Sequence, residues 1–204
     1  MNNLTEIKIT NIPPRSKIGM IGNLTYGRKI TEHLINQFHF NFNVIFSPSF
    51  EIDSKNIKDK IVVYNKSEEY NFVFNHLIKY IDYANNENGY LIIFDEFCNN
   101  NYYLQKLYFS PILTIITNNY LQLHLISMHD YIIIFYINDI EVQKYIYNTY
   151  FIKLFTTFDE FKIIYDKLNV ELKTSQYISL VLHHTNDALN IYFLKNTFYY
   201  EIEI

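Results

Sequence analysis

The chain has 204 residues, 49% of them hydrophobic, and a formal net charge of −4; it is long enough for one domain with a substantial core and too apolar to be disordered. The single cysteine, Cys98, excludes an internal disulfide and a thiolate metal cluster. The longest apolar run, Tyr131 to Ile137, has seven residues against the ~18 that span a bilayer, so no membrane partner is expected.

The amino terminus, Met-Asn-Asn-Leu-Thr-Glu, lacks the basic-then-apolar pattern of a secretory signal, and an intracellular protein is expected. The seven histidines show no ligand spacing; even His183 and His184, being adjacent, would point to opposite sides of a strand. No global basic field advertises nucleic acid, and the cluster Lys55, Lys58 and Lys60 reads as a solvated loop. The heavy use of Ile, Asn, Tyr, Phe and Lys looks like an AT-rich genome acting through codon choice; core packing accounts for the aromatics more simply than base stacking does.

In chain order, Pro13-Pro14 ends any earlier element and Lys17 to Ile21 reads as a short first strand. Next come the glycine-bounded loop Gly22-Asn23-Leu24-Thr25-Tyr26-Gly27-Arg28-Lys29 and a helix with Ile30, Leu34, Ile35 and Phe38 at helical spacing. Asn43 to Ser47 and Lys60 to Tyr64 read as strands. A helix from Ser67 follows, with Tyr70, Phe74, Leu77, Ile81 and Ala84 on one stripe.

Tyr90 to Phe94 is an apolar run covered on both faces, as in a parallel sheet, and it ends in Asp95-Glu96. Tyr102 to Tyr108 is expected to be helical, and Ile112 to Thr117 is a buried strand ending at Asn118. Tyr131 to Ile137 is another strand, followed by a helix from Ile140 to Phe151 capped by Asp139. Thr157-x-x-Glu160 is a capping box opening a helix to about Leu168, and Tyr177 to Leu182 with Leu189 to Leu194 form a terminal hairpin.

Two stretches carry chemistry. Acids at the carboxyl end of a buried strand suit a magnesium-held nucleotide, with Asp95 on the metal and Glu96 polarising a water, although a capped strand end with solvated acids has the same pattern. Gly22 and Gly27 have the spacing of G-x-x-x-x-G-K-[ST], in which backbone N–H groups cradle phosphate. An ordinary strand-to-helix turn would also satisfy that spacing.

Here Arg28 replaces the lysine, and Lys29 replaces the hydroxyl residue that would bind magnesium. Arginine keeps the charge but is planar and longer, and so is not an equivalent phosphate ligand. Thr31, about 200° around the helix from Lys29 by the 3.6-residue repeat, does not substitute for the missing hydroxyl.

The order of phosphate-loop spacing, Asp95-Glu96, a strand ending in Asn118, and then Asp130-Tyr131-Ile132-Ile133-Ile134-Phe135 resembles the viral DNA-packaging ATPases of the FtsK/HerA group, the poxvirus-type branch. The hairpin segments Ile178 to Leu182 and Asn190 to Lys195 are similar to that family's closing hairpin. The resemblance covers most of the chain. It implies a RecA-like P-loop NTPase fold over residues 1–204: α/β, one domain, a mostly parallel central sheet flanked by helices, and a C-terminal β-hairpin.

It further implies ATP hydrolysis coupled to DNA movement, with ATP and magnesium as cofactors. Gly22, Gly27, Arg28 and Lys29 would hold the nucleotide, Asp95 the metal and Glu96 the water, with Asn118 sensing the terminal phosphate. Double-stranded DNA, virion proteins and a homo- or hetero-oligomeric ring are the implied partners, in host cytoplasm or virion.

The departures fall on the chemistry. Besides the altered phosphate loop, the sensor position holds Asn118 where the family usually has Gln, and Leu125 to His129 contains no arginine. Only Arg15 and Arg28 exist in the chain, and an arginine finger is worth ~10³ to 10⁵ in rate. The leading expectation is a packaging-ATPase-like protein with weakened or lost hydrolysis, acting in DNA packaging or as a non-catalytic ring subunit. Two others stay open: a nucleotide-independent scaffold with the same fold, and an unrelated α/β domain whose glycine pair is coincidence.

Overall fold

The computed structural model describes residues 5–13, 16–22, 24–37, 43–47, 60–64, 72, 76, 91–95, 113–118, 129–171, 176–185 and 189–197. Among these, nine strands form one sheet: β1 (Thr5–Ile7), β2 (Lys17–Ile21), β3 (Asn43–Ser47), β4 (Lys60–Tyr64), β5 (Leu91–Asp95), β6 (Leu113–Asn118), β7 (Tyr131–Ile134), β8 (Gln176–His184) and β9 (Leu189–Thr197). Their spatial order is β1-β9-β8-β7-β2-β6-β5-β3-β4. The six from β7 to β4 are mutually parallel, and β8 runs antiparallel to both its neighbours as the first arm of the closing hairpin.

The helices are α1 (Leu24–Gln37), α2 (Ile140–Ile146), which continues into a π-helical turn at Tyr147–Phe151, and α3 (Phe158–Glu171). Phe72 and His76 are also helical, while the apolar stripe expected around them and the helix expected at Tyr102 to Tyr108 lie outside the described residues.

Both faces of the sheet are covered where β2 and β7 meet. Every residue of β2 and β7 is buried, so an unbroken apolar run, rather than an alternating one, is what these strands require. On one side, Ile30 and Leu34 of α1 pack with Ile18, Met20, Tyr131, Ile133 and Phe135. On the other, α3 lies over β8, bringing an aromatic group in which Phe161 contacts Phe151 at 4.8 Å and Tyr165 at 5.0 Å between ring centroids.

Local signals set these helices. The Asp139 carboxylate accepts from the N–H groups of Glu141 and Val142, capping α2. At α3 the capping box closes reciprocally: the Glu160 N–H donates to Thr157 Oγ1 at 3.2 Å and the Thr157 N–H to Glu160 Oε2 at 3.4 Å.

β7 ends at Ile134, three residues short of the apolar run. Beyond it the Phe135 N–H still donates to the Ile21 carbonyl at 2.9 Å, but the backbone then turns away. β1 is an addition to the expected set; it pairs in parallel with β9 at the sheet edge.

At the amino edge, Lys17 opens β2 almost fully buried. Its N–H donates to Asp130 Oδ2 at 2.7 Å, and the Asp130 N–H returns a bond to the Lys17 carbonyl at 2.9 Å. Burial pushes the Lys17 amine down to about 8 from 10.5, against the opposing pull of Asp130. A base held below its unfolded value makes stability rise with pH between the two values, because the unfolded chain binds the extra proton.

Lys17→Met should therefore stabilise the protein at pH 7 by on the order of 3 kcal/mol, the worth of that displacement. The pH-dependent part of the gain should fade between pH 8 and pH 10.5. Urea titrations of both proteins across that range check it, and a gain that does not change with pH contradicts it.

Candidate functional site

The carboxyl ends of β2, β6 and β5 come together at one edge of the sheet. Asp95 pairs in register with Thr117, Thr117 with Met20, and Asn118 with Ile21. Asp95, the last residue of β5, thus stands two strands from β2 and one register row before Asn118. Glu96 lies outside the described residues.

From Ile21 the chain turns at Gly22, whose φ of +109° is a conformation that side chains rarely adopt. A Cβ built there would lie 3.1 Å from the Phe135 carbonyl oxygen, 3.1 Å from Ile137 Cγ1 and 3.2 Å from Phe135 Cβ. Two constraints, dihedral and space, therefore demand glycine at this position.

α1 begins at Leu24, earlier than the glycine-bounded loop was expected to allow. Only Gly22 and Asn23 separate strand from helix, and Leu24 to Gly27 form the first turn of α1 instead of a loop wrapped around an anion. The physical reason is that Leu24-Thr25-Tyr26 contains no helix breaker and Gly27 costs only about 1 kcal/mol inside a helix. What the turn offers is a helix amino terminus, whose first N–H groups have no partner within the helix, and the positive end of the dipole, directly after a buried parallel strand.

Gly27 is buried within that first turn. Arg28 and half-buried Lys29 follow in the second, about 6–8 Å further along the axis than Leu24. Thr31 is almost fully buried beside Ile30 and Leu34, and its Oγ1 has no hydrogen-bond partner. It faces the core and not the sheet edge.

The residues covering Gly22 were not legible as site residues. Phe135 and Ile137 follow β7, and their backbone is held by two helices. The Tyr165 hydroxyl, from α3, donates to the Phe135 carbonyl at 2.8 Å and accepts from the Ile137 N–H at 3.1 Å. Gln143, from α2, donates through Nε2 to the Ile137 carbonyl at 2.9 Å. Burial pushes the Tyr165 hydroxyl up, partly countered by the bond from Ile137, so it stays protonated and able to donate. The only signal in sequence was that Tyr165 falls on the apolar stripe of α3.

Among the described residues no cluster of three histidine, cysteine or acidic side chains could hold a metal ion, and no helix is long and apolar enough to cross a membrane.

No protein-family model matches the chain, and no curated protein matches it. Solved structures do. The genome-packaging NTPase B204 of Sulfolobus turreted icosahedral virus 2 in complex with ATP-γS superposes with a TM-score of 0.56 at 13% identity, over 89% of this chain and 98% of that one. B204, the DNA-packaging ATPase of Sulfolobus turreted icosahedral virus, gives 0.57 at 14% identity over the same shares. The AMPPCP complex of the former gives 0.53 at 13%, over 88% and 98%. The chain thus shares the fold of these viral genome-packaging NTPases.

Gly22→Ala should cost roughly 1–3 kcal/mol, because the alanine is strained at this φ and must also displace the Phe135 carbonyl. For a chain of this size that lowers Tm by about 2–4 °C per kcal/mol. A differential scanning calorimetry trace unchanged from the parent's would contradict the assigned turn.

Proposed function

We propose that this chain is a nucleotide-binding protein of a viral genome-packaging apparatus, in which ATP is held at the carboxyl edge of β2, β6 and β5 and hydrolysis is weakened or lost. One observation carries the reading. In the fold of packaging NTPases crystallised with ATP-γS and AMPPCP, the Gly22 turn, the amino terminus of α1, Asp95 and Asn118 converge on the same sheet edge.

The first-turn N–H groups of α1 would receive phosphate oxygens, with Arg28 and Lys29 supplying charge from the second turn. Asn118, beside Ile21, would donate its amide to the terminal phosphate, and Glu96 would follow Asp95 toward the attacking water.

Magnesium fits in part. A P-loop site takes a hydroxyl and an acid from the protein; Asp95 supplies the acid, while Lys29 stands where the hydroxyl belongs and Thr31 is turned into the core. With half the donor set missing, no catalytic step is assigned to the metal. The absence of arginine from Leu125 to His129 removes the usual stabiliser of the transferring phosphoryl group. Duplex DNA, virion proteins and a ring of subunits are the partners this reading implies.

A second reading, a scaffold that keeps the fold without nucleotide, is favoured by one observation: Leu24 to Gly27 form a helical turn and not a loop that could wrap a phosphate.

Thermal unfolding with and without ATP and magnesium separates the two. A ligand present at a hundred times its Kd stabilises by about 2.7 kcal/mol, or roughly 5–10 °C here. The parent should show that shift and an Arg28→Ala, Lys29→Ala double variant should lose most of it. No shift in the parent at millimolar ATP leaves the scaffold reading standing.

A further inference from the structure

The segment after β7 is gripped more firmly than a connector needs to be. Three hydrogen bonds from two buried side chains on two different helices fix the backbone of Phe135 and Ile137, and these two residues close over Gly22. Tyr165 is fully buried and Gln143 nearly so. The Phe135 N–H is in turn bonded to the Ile21 carbonyl, so the same segment is stitched to the last residue of β2.

A side chain at Gly22 would meet Phe135 and Ile137, and the glycine's φ of +109° turns the chain beside them into α1. Whatever holds Phe135 and Ile137 therefore sets where α1 begins and how its first N–H groups are aimed. Gln143 adds a second feature. While its Nε2 serves Ile137, its Oε1 is buried with no partner. A buried orphan acceptor is retained at a cost in stability, which fits selection for where Gln143 holds the backbone and not for how strongly it binds.

We infer that Tyr165 and Gln143 are positioning residues for the phosphate-binding turn, holding Gly22 and the amino terminus of α1 through the backbone of Phe135 to Ile137. The inference rests on the nucleotide site proposed above for its functional consequence, but not for its structural content. Both residues act on Gly22 through the backbone of other residues, and both lie more than a hundred positions from it in the chain.

Two variants remove the grip with little change of volume: Tyr165→Phe deletes the hydroxyl and Gln143→Met the amide. Tyr147→Phe is the control, since its hydroxyl donates to the Phe155 carbonyl at 3.2 Å, away from the turn. Backbone hydrogen exchange is followed peptide by peptide in all four proteins, and ATP–magnesium affinity is measured on the same samples.

Amides of residues 22–27 should exchange at least tenfold faster in Tyr165→Phe and Gln143→Met than in the Tyr147→Phe control, with exchange in β8 and β9 unchanged. The Kd for ATP–magnesium should rise at least fivefold in those two variants only. Unchanged exchange at 22–27 in both overturns the inference, whatever the nucleotide result. Faster exchange in the two variants of a parent that binds no ATP upholds the positioning role and sinks the nucleotide reading instead.

Discussion

The constraint on which the candidate site depends is the collision that any side chain at Gly22 would meet with the carbonyl of Phe135. β2 is buried between β6 and β7, so its exit cannot swing within the sheet plane. β7 continues its hydrogen bonding one residue past its own end and brings Phe135 alongside Ile21. The chain leaving β2 must then bend sharply under that carbonyl, and only a glycine at φ +109° does so. The helix starts two residues later because Leu24 to Tyr26 contain no helix breaker and Gly27 opposes it only weakly.

The layer behind β7 is what makes that constraint rigid. The π-turn, the connection after it and α3 pack rings of Tyr147, Phe151, Phe155, Phe161 and Tyr165 at centroid distances of 4.8–5.9 Å. Such contacts each add about 0.5–1.5 kcal/mol to the burial of the rings themselves. The layer's polar handle is the Tyr165 hydroxyl, aimed at the segment beside Gly22 and not at solvent. A cluster that looks like filler thereby transmits its rigidity to the sheet edge where the motifs converge.

Much of the fold was legible because its strands are short, apolar and bounded by polar turns. The limits of β3 and β4 and the paired arms of β8 and β9 follow directly from that pattern, and the caps Asp139 and Thr157 follow from side-chain chemistry. The carboxyl-edge placement of Asp95 and Asn118 was legible for the same reason, since parallel strands present their ends together. The register that sets Asn118 beside Ile21 was not, because pairing between distant strands leaves no local trace. α1 starts earlier than the glycine spacing alone suggests, because Gly27 is tolerated in a first turn. Gln143 and Tyr165 act through backbone atoms of other residues, and no motif encodes such contacts.

Magnitudes bear on what a P-loop fold with these residues can do. A helix amino terminus contributes about 0.3–1 kcal/mol toward an anion, and about 2 at best. Micromolar affinity requires about 8 kcal/mol. The remainder has to come from cations and from contacts to base and sugar. In this chain the cations in reach by sequence are Arg28 and Lys29, both in the second turn of α1 and not in a cradle closed around the phosphate. Arginine in particular offers a planar fork suited to gripping a phosphate edge-on, not a point charge that can follow phosphate through a transition state. On the proposed reading, an arrangement that gathers charge beside a helix end, omits the hydroxyl for magnesium and has no arginine from Leu125 to His129 would suit a nucleotide in its ground state. It offers little that strengthens as the phosphoryl group departs, and catalysis depends on that difference.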